Sequence, residues 1–452
     1  MHHPAHRRMP RRWPAQAVLG GAACLVAVAL TWPATGQGPQ PGDAPPPARP
    51  AEEEALPERT VVIDVDAPER ALYRIAVPNL RGEGSLGPEG AEVLRQDFRL
   101  VSLFDVLDGR SFVADLEREG LGIQPGSWRS VGAQGVVKGR IQREGSRIRV
   151  EMRLYEVARG AEPTLSRTYA GRPGELTRFM HRFANDVLAT LTGRAGAFGT
   201  RLTFARRRGP GRKDVMVATF DGDRVSRVSS GRGVSMLPAF GRGGVWYSVL
   251  TPERMFITRT GVEDRPIIDS SGLNMGVSVC GNRAYFTSTR DGNSEIYSSD
   301  LDGEDVQRLT NDPGIDVSPA CGGPGGKIAF VSTRHGSPQI FTMSAGGGNV
   351  TRVTFRGDHN QTPAWCPVAQ NGALLAFTGL SGDFDIFTVN LATQEYTRLT
   401  QGQGVNKDPA FSPDCRMVAF YSSRGGIFLS NPEGLNQNLV IPGHAETLRW
   451  SR

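Results

Sequence analysis

The sequence predicts a small α+β domain followed by an all-β propeller of six blades, which the last strand of the chain closes. Three observations support this fold class. Short apolar strands and a three-residue mark recur every 40–46 residues from residue 200 onward, and that period is typical of propeller blades. The 452 residues include 56 glycines and 31 prolines, as expected of a chain rich in turns. The final strand has no partner within its own repeat, so it is free to complete the first blade.

Residues 1–36 are predicted to be a secretory signal. Four arginines precede an apolar run over residues 15–30, and residues 34–36 are small enough for cleavage. This run is shorter than the roughly 20 residues of a membrane-spanning helix, which favours a signal over the alternative of a retained anchor. The Sec route is favoured over the twin-arginine route, because Trp13-Pro14 after the Arg11-Arg12 pair is a poor match to a twin-arginine signal.

Residues 37–57 are predicted to be a linker, because seven of them are proline and such a composition gives a semi-rigid, extended segment. The net charge of +6 falls to +2 when the four arginines of the signal are set aside. The chain has no block of lysine and arginine, so a nucleic-acid partner is not expected.

Residues 58–196 are predicted to form the small domain. Runs of β-branched residues predict strands over residues 61–65 and 73–77, and another strand begins at Phe104. Two alternating segments predict a hairpin around Gly145. Apolar side chains recur at helical spacing in two further segments, residues 88–100 and 176–191, the second of which Gly193 is placed to end.

One motif in this domain matches a nucleotide-binding turn. Gly82, Gly84 and Gly87 follow the G-x-G-x-x-G pattern between a strand and a helix, and Asp108 lies 21 residues past Gly87. A dinucleotide-binding fold needs further strand–helix repeats, whereas a hairpin follows here. The motif is therefore predicted to be a turn that opens a helix, and no cofactor is expected.

Residues 197–452 are predicted to form the propeller. Each repeat ends in a short outer strand, clearest as Arg-Leu-Thr or Arg-Val-Thr, and the last residues of the six copies are Ser229, Ser270, Thr310, Thr354, Thr400 and Ile441. Four short strands per repeat are typical of a blade. The first repeat lacks an opening strand, and residues 447–451 supply one. We expect this C-terminal strand to close blade one, because closure removes an exposed sheet edge.

The chain resembles the TolB family of the Tol–Pal envelope system. Residues 191–202 are similar to the family's join between its two domains, and residues 409–414 (Pro-Ala-Phe-Ser-Pro-Asp) to its blade motif. The resemblance spans about residues 60–452. It implies a periplasmic binding protein, not an enzyme, that supports outer-membrane integrity and constriction during division. It also implies binding of the peptidoglycan-associated lipoprotein Pal by the propeller, communication of the N-terminal region with the inner-membrane protein TolA, and contact with membranes only through these partners.

The resemblance further implies docking at the propeller mouth, on the loops from each outer strand to the next inner strand. The residues expected to contact a partner there are Asn274, Asp316, Asp358, His359, Asn360, Gln361, Asn406, Lys407, Asp408 and His444. Polar groups on a rigid scaffold suit recognition, because little ordering is needed on binding. Changing residues 359–361 together to alanine is expected to weaken binding and to leave stability nearly unchanged.

Four cysteines follow the predicted signal, each near the inner strand of a consecutive blade: Cys280, Cys321, Cys366 and Cys415. An even number in an exported chain is compatible with disulfides, and the pairs 280–321 and 366–415 would join neighbouring blades. Buried free thiols are the favoured alternative, because bridged Cα atoms must lie within about 7 Å of each other.

Catalytic and metal-binding patterns find little support in the sequence. It has neither a G-x-S-x-G nor an H-E-x-x-H motif, so His359 and His444 are expected to serve partner binding or structure, and His181 to pack or cap its helix. The segment that begins at Asp300 lacks the twelfth-position glutamate of a calcium loop, which predicts a hairpin turn. The alternatives are a propeller envelope protein with a different partner, or a metal-dependent sugar lyase with a propeller fold.

Overall fold

The computed structural model describes residues 72–82, 84–231, 233–262, 265–368 and 373–451. The predicted signal, the predicted linker and the strand expected over residues 61–65 lie outside the described residues. Within the described residues, no helix is long and apolar enough to cross a membrane.

The first described domain is built on a mixed sheet. Its strands are β1 (Tyr73–Ala76), β2 (Phe104–Val106), β3 (Gly135–Glu144), β4 (Arg147–Glu156) and β5 (Leu165–Gly171). Within the described chain they lie in the order β2-β1-β3-β4-β5, with β1 parallel to both of its neighbours and the other pairs antiparallel. The predicted hairpin is confirmed as β3 and β4, whereas β5 was not predicted.

The helices are α1 (Leu86–Leu100), α2 (Leu116–Glu119), α3 (Pro125–Ser130) and α4 (Leu176–Thr192), and short 3₁₀ turns lie at residues 109–111, 157–159, 173–175 and 324–326. Both predicted helices are confirmed, as α1 and α4. Gly193 ends α4 in the left-handed conformation, with φ of 74°, which glycine adopts without steric penalty.

The glycine motif before α1 is a packing device. A Cβ at Gly87 would lie 2.1 Å from the Leu80 carbonyl oxygen, so only glycine allows this approach. Asp108 accepts a hydrogen bond from the Arg110 backbone N–H at 2.9 Å and caps a 3₁₀ turn. Both observations agree with the predicted turn that opens a helix.

The small domain and the propeller share one hydrophobic core. Phe98 of α1 and Phe183 of α4 belong to the same buried cluster as Phe220 and Met417 of the propeller. The segment between the domains is tied down as well, since the Arg416 guanidinium donates to Thr192 Oγ1 at 2.6 Å and to the Ala195 carbonyl at 3.0 Å. These contacts hold the two domains together as one compact body.

A buried charged group lies at this junction. His181 of α4 has Nδ1 2.9 Å from Asp97 Oδ2 of α1 and Nε2 3.4 Å from Asp221 Oδ2 of the propeller. Burial alone would lower the pKa of His181, but hydrogen bonds and charges of Asp221 and Asp97 outweigh it and raise the pKa to about 10. The histidine packs against Phe220, as a packing role predicts, and in addition it bridges both domains as a cation.

The remaining strands form six blades in the described chain. Blade one contains β6 (Arg201–Gly209), β7 (Arg212–Thr219) and β8 (Val225–Arg227). Blade two contains β9 (Val234–Gly241), β10 (Gly244–Leu250) and β11 (Met255–Arg259). Blade three contains β12 (Asn274–Cys280), β13 (Arg283–Ser288), β14 (Glu295–Ser299) and β15 (Gln307–Arg308).

Blade four contains β16 (Asp316–Cys321), β17 (Ile328–Ser332), β18 (Gln339–Met343) and β19 (Thr351–Arg352). Blade five contains β20 (Asn360–Trp365), β21 (Leu374–Ser381), β22 (Asp383–Asn390) and β23 (Tyr396–Arg398). Blade six contains β24 (Asn406–Phe411), β25 (Val418–Ser422), β26 (Gly426–Ser430) and β27 (Asn438–Pro442), and β28 (Glu446–Trp450) follows. The outer strand predicted for blade two at residues 267–270 was wrong, because Ile268 makes only an isolated bridge to Ile257.

The predicted closure of the ring is confirmed. Strand β28 pairs antiparallel with β6, so the last strand of the chain is the inner strand of blade one. The Trp450 indole N–H donates to Thr200 Oγ1 at 2.7 Å, and the Ser451 N–H donates to the Arg201 carbonyl at 2.8 Å. This pairing removes the free edge that β6 would otherwise expose.

The favoured prediction of free thiols was wrong. Cys280 is bonded to Cys321 and Cys366 to Cys415, with Cα–Cα distances of 6.1 and 5.5 Å. Inner strands of neighbouring blades converge toward the propeller axis, and they bring cysteines about 40–50 residues apart in sequence within bonding reach. The alternative pairing is therefore correct, and it staples blade three to four and blade five to six.

Candidate functional site

The mouth of the propeller gathers the loops that were predicted to dock a partner. Because the four strands of a blade alternate in direction, the loops from outer to inner strands and the turns between the two central strands lie at the same end. Loops 271–275, 315–318, 357–362, 405–408 and 443–446 therefore share one face with the turn at Gly382. The structure brings all ten predicted residues to this end of the ring.

The Arg-x-Thr marks of the sequence are joints between blades. The hydroxyls of Thr310, Thr354 and Thr400 donate at 2.6 Å to a side chain near the start of the third strand, which is Glu295, Gln339 and Asp385 respectively. The same acceptors bind the next blade: Asn360 Nδ2 lies 2.8 Å from Gln339 Oε1, and Asn406 Nδ2 lies 3.2 Å from Asp385 Oδ1. The marks that end in Thr354 and Thr400 thus fix the start of the following inner strand.

Every inner strand in the described chain also bulges at one left-handed residue, a feature that sequence reasoning missed. These residues have φ of 52–67° and are Leu237, Gly276, Ser318, Thr362, Asp408 and Thr447. In each blade the ladder register shifts at this point, as expected of a β-bulge that re-aims the strand. Each bulge lies two residues after the equivalent position of its inner strand, which is Ser235, Asn274, Asp316, Asn360, Asn406 and Ala445. This repeated spacing is the sequence feature from which the bulges could have been predicted.

Six of the ten predicted contact residues are buried in this framework: Asn274, Asp316, Asn360, Gln361, Asn406 and Asp408. Asn274 donates to the carbonyls of Met255 and Ser270. The Asp408 carboxylate accepts the Thr447 N–H at 2.7 Å and so joins blade six to blade one. These side chains hold the loops, which changes the expectation for the triple alanine variant, since removing Asn360 and Gln361 would also disturb the fold.

The other four residues are accessible: Asp358, His359, Lys407 and His444. His359 and Lys407 meet at Phe384, where the imidazole stands edge-on at 5.6 Å and the ammonium lies over the ring at 4.2 Å. His444 packs against Tyr421 at 5.2 Å, with Nε2 3.6 Å from Glu446 Oε1. One ammonium group and two aromatic rings thus meet across blades five and six, and we call this cluster of His359, Phe384 and Lys407 the mouth patch.

One joint differs from its neighbours because two acids meet there. Asp316 of blade four occupies the position of Asn360 and Asn406, and the charge of Glu295 of blade three acts on it. Burial raises the pKa of Asp316 to about 6, and the charge of Glu295 adds a smaller shift in the same direction, while a hydrogen bond with Ser332 and the charge of Arg334 at 2.8 Å oppose it. Folding therefore favours the protonated carboxyl of Asp316. As the pH rises from about 4 through 6, ionisation of Asp316 lowers the free energy of unfolding.

Replacing Asp316 by asparagine is expected to stabilise the protein. The gain should reach about 1–3 kcal/mol at pH 8, since a two-unit shift corresponds to roughly 3 kcal/mol, and it should shrink toward pH 4.5. Denaturant unfolding at both pH values measures it. The matched control is Asn406→Asp, which creates an acid pair with Asp385 and should destabilise at pH 8. Equal stability of Asp316→Asn and the parent at pH 8 would contradict the acid-pair interpretation.

The far end of the channel has a different chemistry. A cavity of about 440 Å³ lies there, and its lining includes Arg201, Arg242 and Arg449 together with Trp365 and Trp450. None of the predicted contact residues lines it. Within the described residues, no three His, Cys, Asp or Glu side chains come together as a metal site.

Family models match the chain in two segments. The TolB amino-terminal domain matches residues 61–163, and the TolB beta propeller domain matches residues 188–379. The Tol-Pal system protein TolB of Anaeromyxobacter dehalogenans (strain 2CP-C) is 35% identical over 277 residues, which cover 59% of this chain. The chain spans 63% of the length of that relative. A Protein TolB homolog of Chlorobium luteolum is 33% identical over 209 residues, 45% of this chain and 48% of the relative.

The fold agrees with a solved structure. The crystal structure of TolB from Acinetobacter baumannii superposes with a TM-score of 0.73 at 25% identity, over 85% of this chain and 98% of that one. A closed six-bladed ring, a small α/β domain on the same core and a polar mouth define a two-domain propeller protein. Both domains match the same family in the same order, and the chain belongs to the TolB family of the Tol-Pal system.

Proposed function

We propose that this protein is a periplasmic binding protein of the Tol-Pal system that docks the peptidoglycan-associated lipoprotein Pal at the propeller mouth. The observation that carries the proposal is the mouth patch, in which accessible cationic and aromatic groups stand on loops that the buried joints hold in place. Preformed loops lose little entropy on binding. Aromatic side chains in the buried centre of an interface are among those that most often dominate binding energy.

The ten predicted residues divide into two roles in this proposal. Asp358, His359, Lys407 and His444 contact the partner directly. The six buried residues position the loops, as the hydrogen bonds of Asn360 to Gln339 and of Asp408 to Thr447 illustrate. Removing a buried member would therefore weaken binding through loss of order, and removing an accessible member would weaken it through loss of contact.

The remainder of the proposal concerns the place of the protein in the cell. The chain is exported through its N-terminal signal, and the N-terminal region communicates with TolA at the inner membrane. The propeller meanwhile engages the lipoprotein, so the protein links the two membranes through its partners. Such a link supports outer-membrane integrity and constriction at division.

Titration calorimetry with the soluble domain of Pal from the same organism tests the proposal. The parent protein is expected to bind with one-to-one stoichiometry. The double variant His359→Ala and Lys407→Ala should bind at least tenfold more weakly while its melting temperature stays within a few degrees, since both side chains are partly exposed.

The matched control removes one positive charge at the opposite end of the ring. Arg242 Nη1 donates to Asn282 Oδ1 at 2.7 Å on an exposed turn there, and the variant Arg242→Ala with Asn282→Ala should bind within threefold of the parent. Absence of binding by the folded parent protein would overturn the assignment of Pal. Equal affinity of the mouth variant and the parent would overturn the location.

A further inference from the structure

Three blades carry an arginine that covers the aromatic pair between their two central strands. The guanidinium carbons of Arg290, Arg334 and Arg424 lie 4.9, 5.0 and 4.2 Å from the ring centres of Tyr297, Phe341 and Phe428 respectively. Each Nε donates to a serine two residues earlier in the chain, which is Ser288, Ser332 and Ser422. The covered rings are 2, 2 and 9% exposed.

Blade five has the aromatic pair without the arginine. Phe377 and Phe387 stack at 5.6 Å, but Gly379 stands at the serine position and Ser381 at the arginine position. The strands here continue into a tight hairpin at Gly382. A Cβ at Gly379 would lie 2.8 Å from Asn360 Oδ1 and 2.9 Å from the Phe387 ring, so a serine does not fit without movement.

The missing arginine leaves a cavity. Its volume is about 320 Å³, and it lies between the Phe377–Phe387 pair, Gly379 and Asn360, with Arg356 and Tyr396 at the rim. Phe387 is partly exposed, in contrast to its covered counterparts. We call this cavity the vacant slot. Phe377, Gly379 and Ser381 alternate along β21 and therefore share the face of the strand that looks onto it.

One wall of the vacant slot offers an unused acceptor. Asn360 is 2% exposed and donates through Nδ2 to Gln339 and to the Arg356 carbonyl, but within the described chain no donor reaches its Oδ1. At the equivalent position in blade three, Asn274 Oδ1 accepts from the hydroxyls of Ser270 and Ser288. Blade five thus presents a partly exposed Phe387 ring and a carbonyl oxygen that no donor in the described part of the chain reaches. The equivalent Asn406 Oδ1 of blade six also has no hydrogen-bond partner among the described residues, although its serine is present.

Two guanidinium groups border the vacant slot, those of Arg356 and Arg398, and the carboxylate of Asp385 pairs with the second. Arg398 stands 5.6 Å from Phe387, and its guanidinium is paired with Asp385 at 2.5 Å. In blade three, Arg308 and Glu295 correspond to Arg398 and Asp385, and they pair at 2.8 Å. There the equivalent slot is filled by Arg290, which lies over Tyr297. Aromatic faces attract cations, and a planar guanidinium both stacks and donates to a carbonyl.

We propose that the vacant slot of blade five binds the guanidinium group of an arginine side chain that a partner polypeptide presents. The guest would stack on Phe387 and donate to Asn360 Oδ1, as the internal arginines do with their own ring and serine. The slot opens at the mouth beside loop 357–362. The inference therefore deepens the proposed docking function, and it rests on that function only for the identity of the partner.

The test uses small probes and protein labelled with fluorinated phenylalanine. N-acetyl-arginine amide should shift the Phe387 resonance in a saturable manner, and the neutral isostere N-acetyl-citrulline amide should bind at least tenfold more weakly. Ser381→Arg places an internal arginine in the slot and should abolish the shift. Arg424→Ala opens the equivalent slot of blade six and should add a second binding site near Phe428. The melting temperature of each variant establishes that it is folded.

Three results would overturn the inference. Equal binding of the citrulline probe would remove the requirement for charge, and stronger binding of N-acetyl-glutamate amide would make the slot an anion site. Unchanged arginine binding by folded Ser381→Arg would place the site elsewhere. Because the probes involve no lipoprotein, their failure leaves Pal docking intact, and failure of Pal binding leaves the probe result intact.

Discussion

Deleting residues 447–452 is expected to abolish cooperative folding of the propeller. The deletion removes the inner strand of blade one, with Leu448 fully buried and Trp450 8% exposed, and it leaves β6 with a free edge. Each large buried side chain contributes several kcal/mol, against a total stability of roughly 5–15 kcal/mol for a typical protein. The deletion also removes the backbone N–H that Asp408 binds, so a buried carboxylate loses its partner.

Graded variants separate closure from a general loss of apolar surface. Trp450→Ala should lower the free energy of unfolding by about 3–5 kcal/mol. Leu439→Ala, on an outer strand and 47% exposed, should change it by less than about 0.5 kcal/mol. Circular dichroism and differential scanning calorimetry make these measurements. A deletion variant that unfolds at the same temperature as the parent would refute the closed ring.

Replacing His181 by alanine is expected to have the second large effect. The change leaves Asp97 and Asp221 facing each other across the domain junction without a cation, and breaking a buried ion pair in this way costs about 3–5 kcal/mol. The raised pKa of His181 adds a pH dependence. Its contribution to stability is fully present below about pH 6.5, the ordinary value, and is lost as the pH rises through about 10.

Denaturant unfolding of His181→Ala and of the parent at pH 6, 8 and 10 measures both effects. The difference between the two proteins should be largest at pH 6 and should shrink by pH 10. Adding Asp221→Asn to the alanine variant should restore part of the loss, because it removes one of the two like charges. A loss that is the same at all three pH values would show that His181 only fills space.

The sequence predicted the repeating architecture because each blade carries its own local signals. The Arg-x-Thr marks, the β-branched strands and the turn glycines recur with the blade period, so the six blades and their closure could be worked out from the chain. An outer strand was wrongly predicted for blade two, because Ile267 and Ile268 have strand-forming side chains, yet Ile268 makes only an isolated bridge. The disulfide pairs were considered but not favoured, because the distance between cysteines of neighbouring blades depends on the tertiary structure and cannot be measured from the sequence.

The position of the ten predicted contact residues at one end of the ring could be predicted from the sequence, whereas their burial could not. Loop position followed from the repeat, whereas burial depends on the preceding blade. Asn360 and Asn406 look like exposed loop residues until Gln339 and Asp385 are placed beside them. Phe384 was missed because it belongs to a different turn from His359 and Lys407, and only the fold brings the three together. The vacant slot was missed since it is a difference between blades, visible once their strands are superposed by register.

Site-specific photo-crosslinking in living cells tests the central claim, docking of Pal at the propeller mouth, most directly. A photoreactive phenylalanine analogue at position 359 is expected to give a crosslinked product that contains Pal. The same analogue at position 282, on the opposite end of the ring, should give none. Crosslinking to Pal from position 282 and not from position 359, with both proteins folded and exported, would contradict the account.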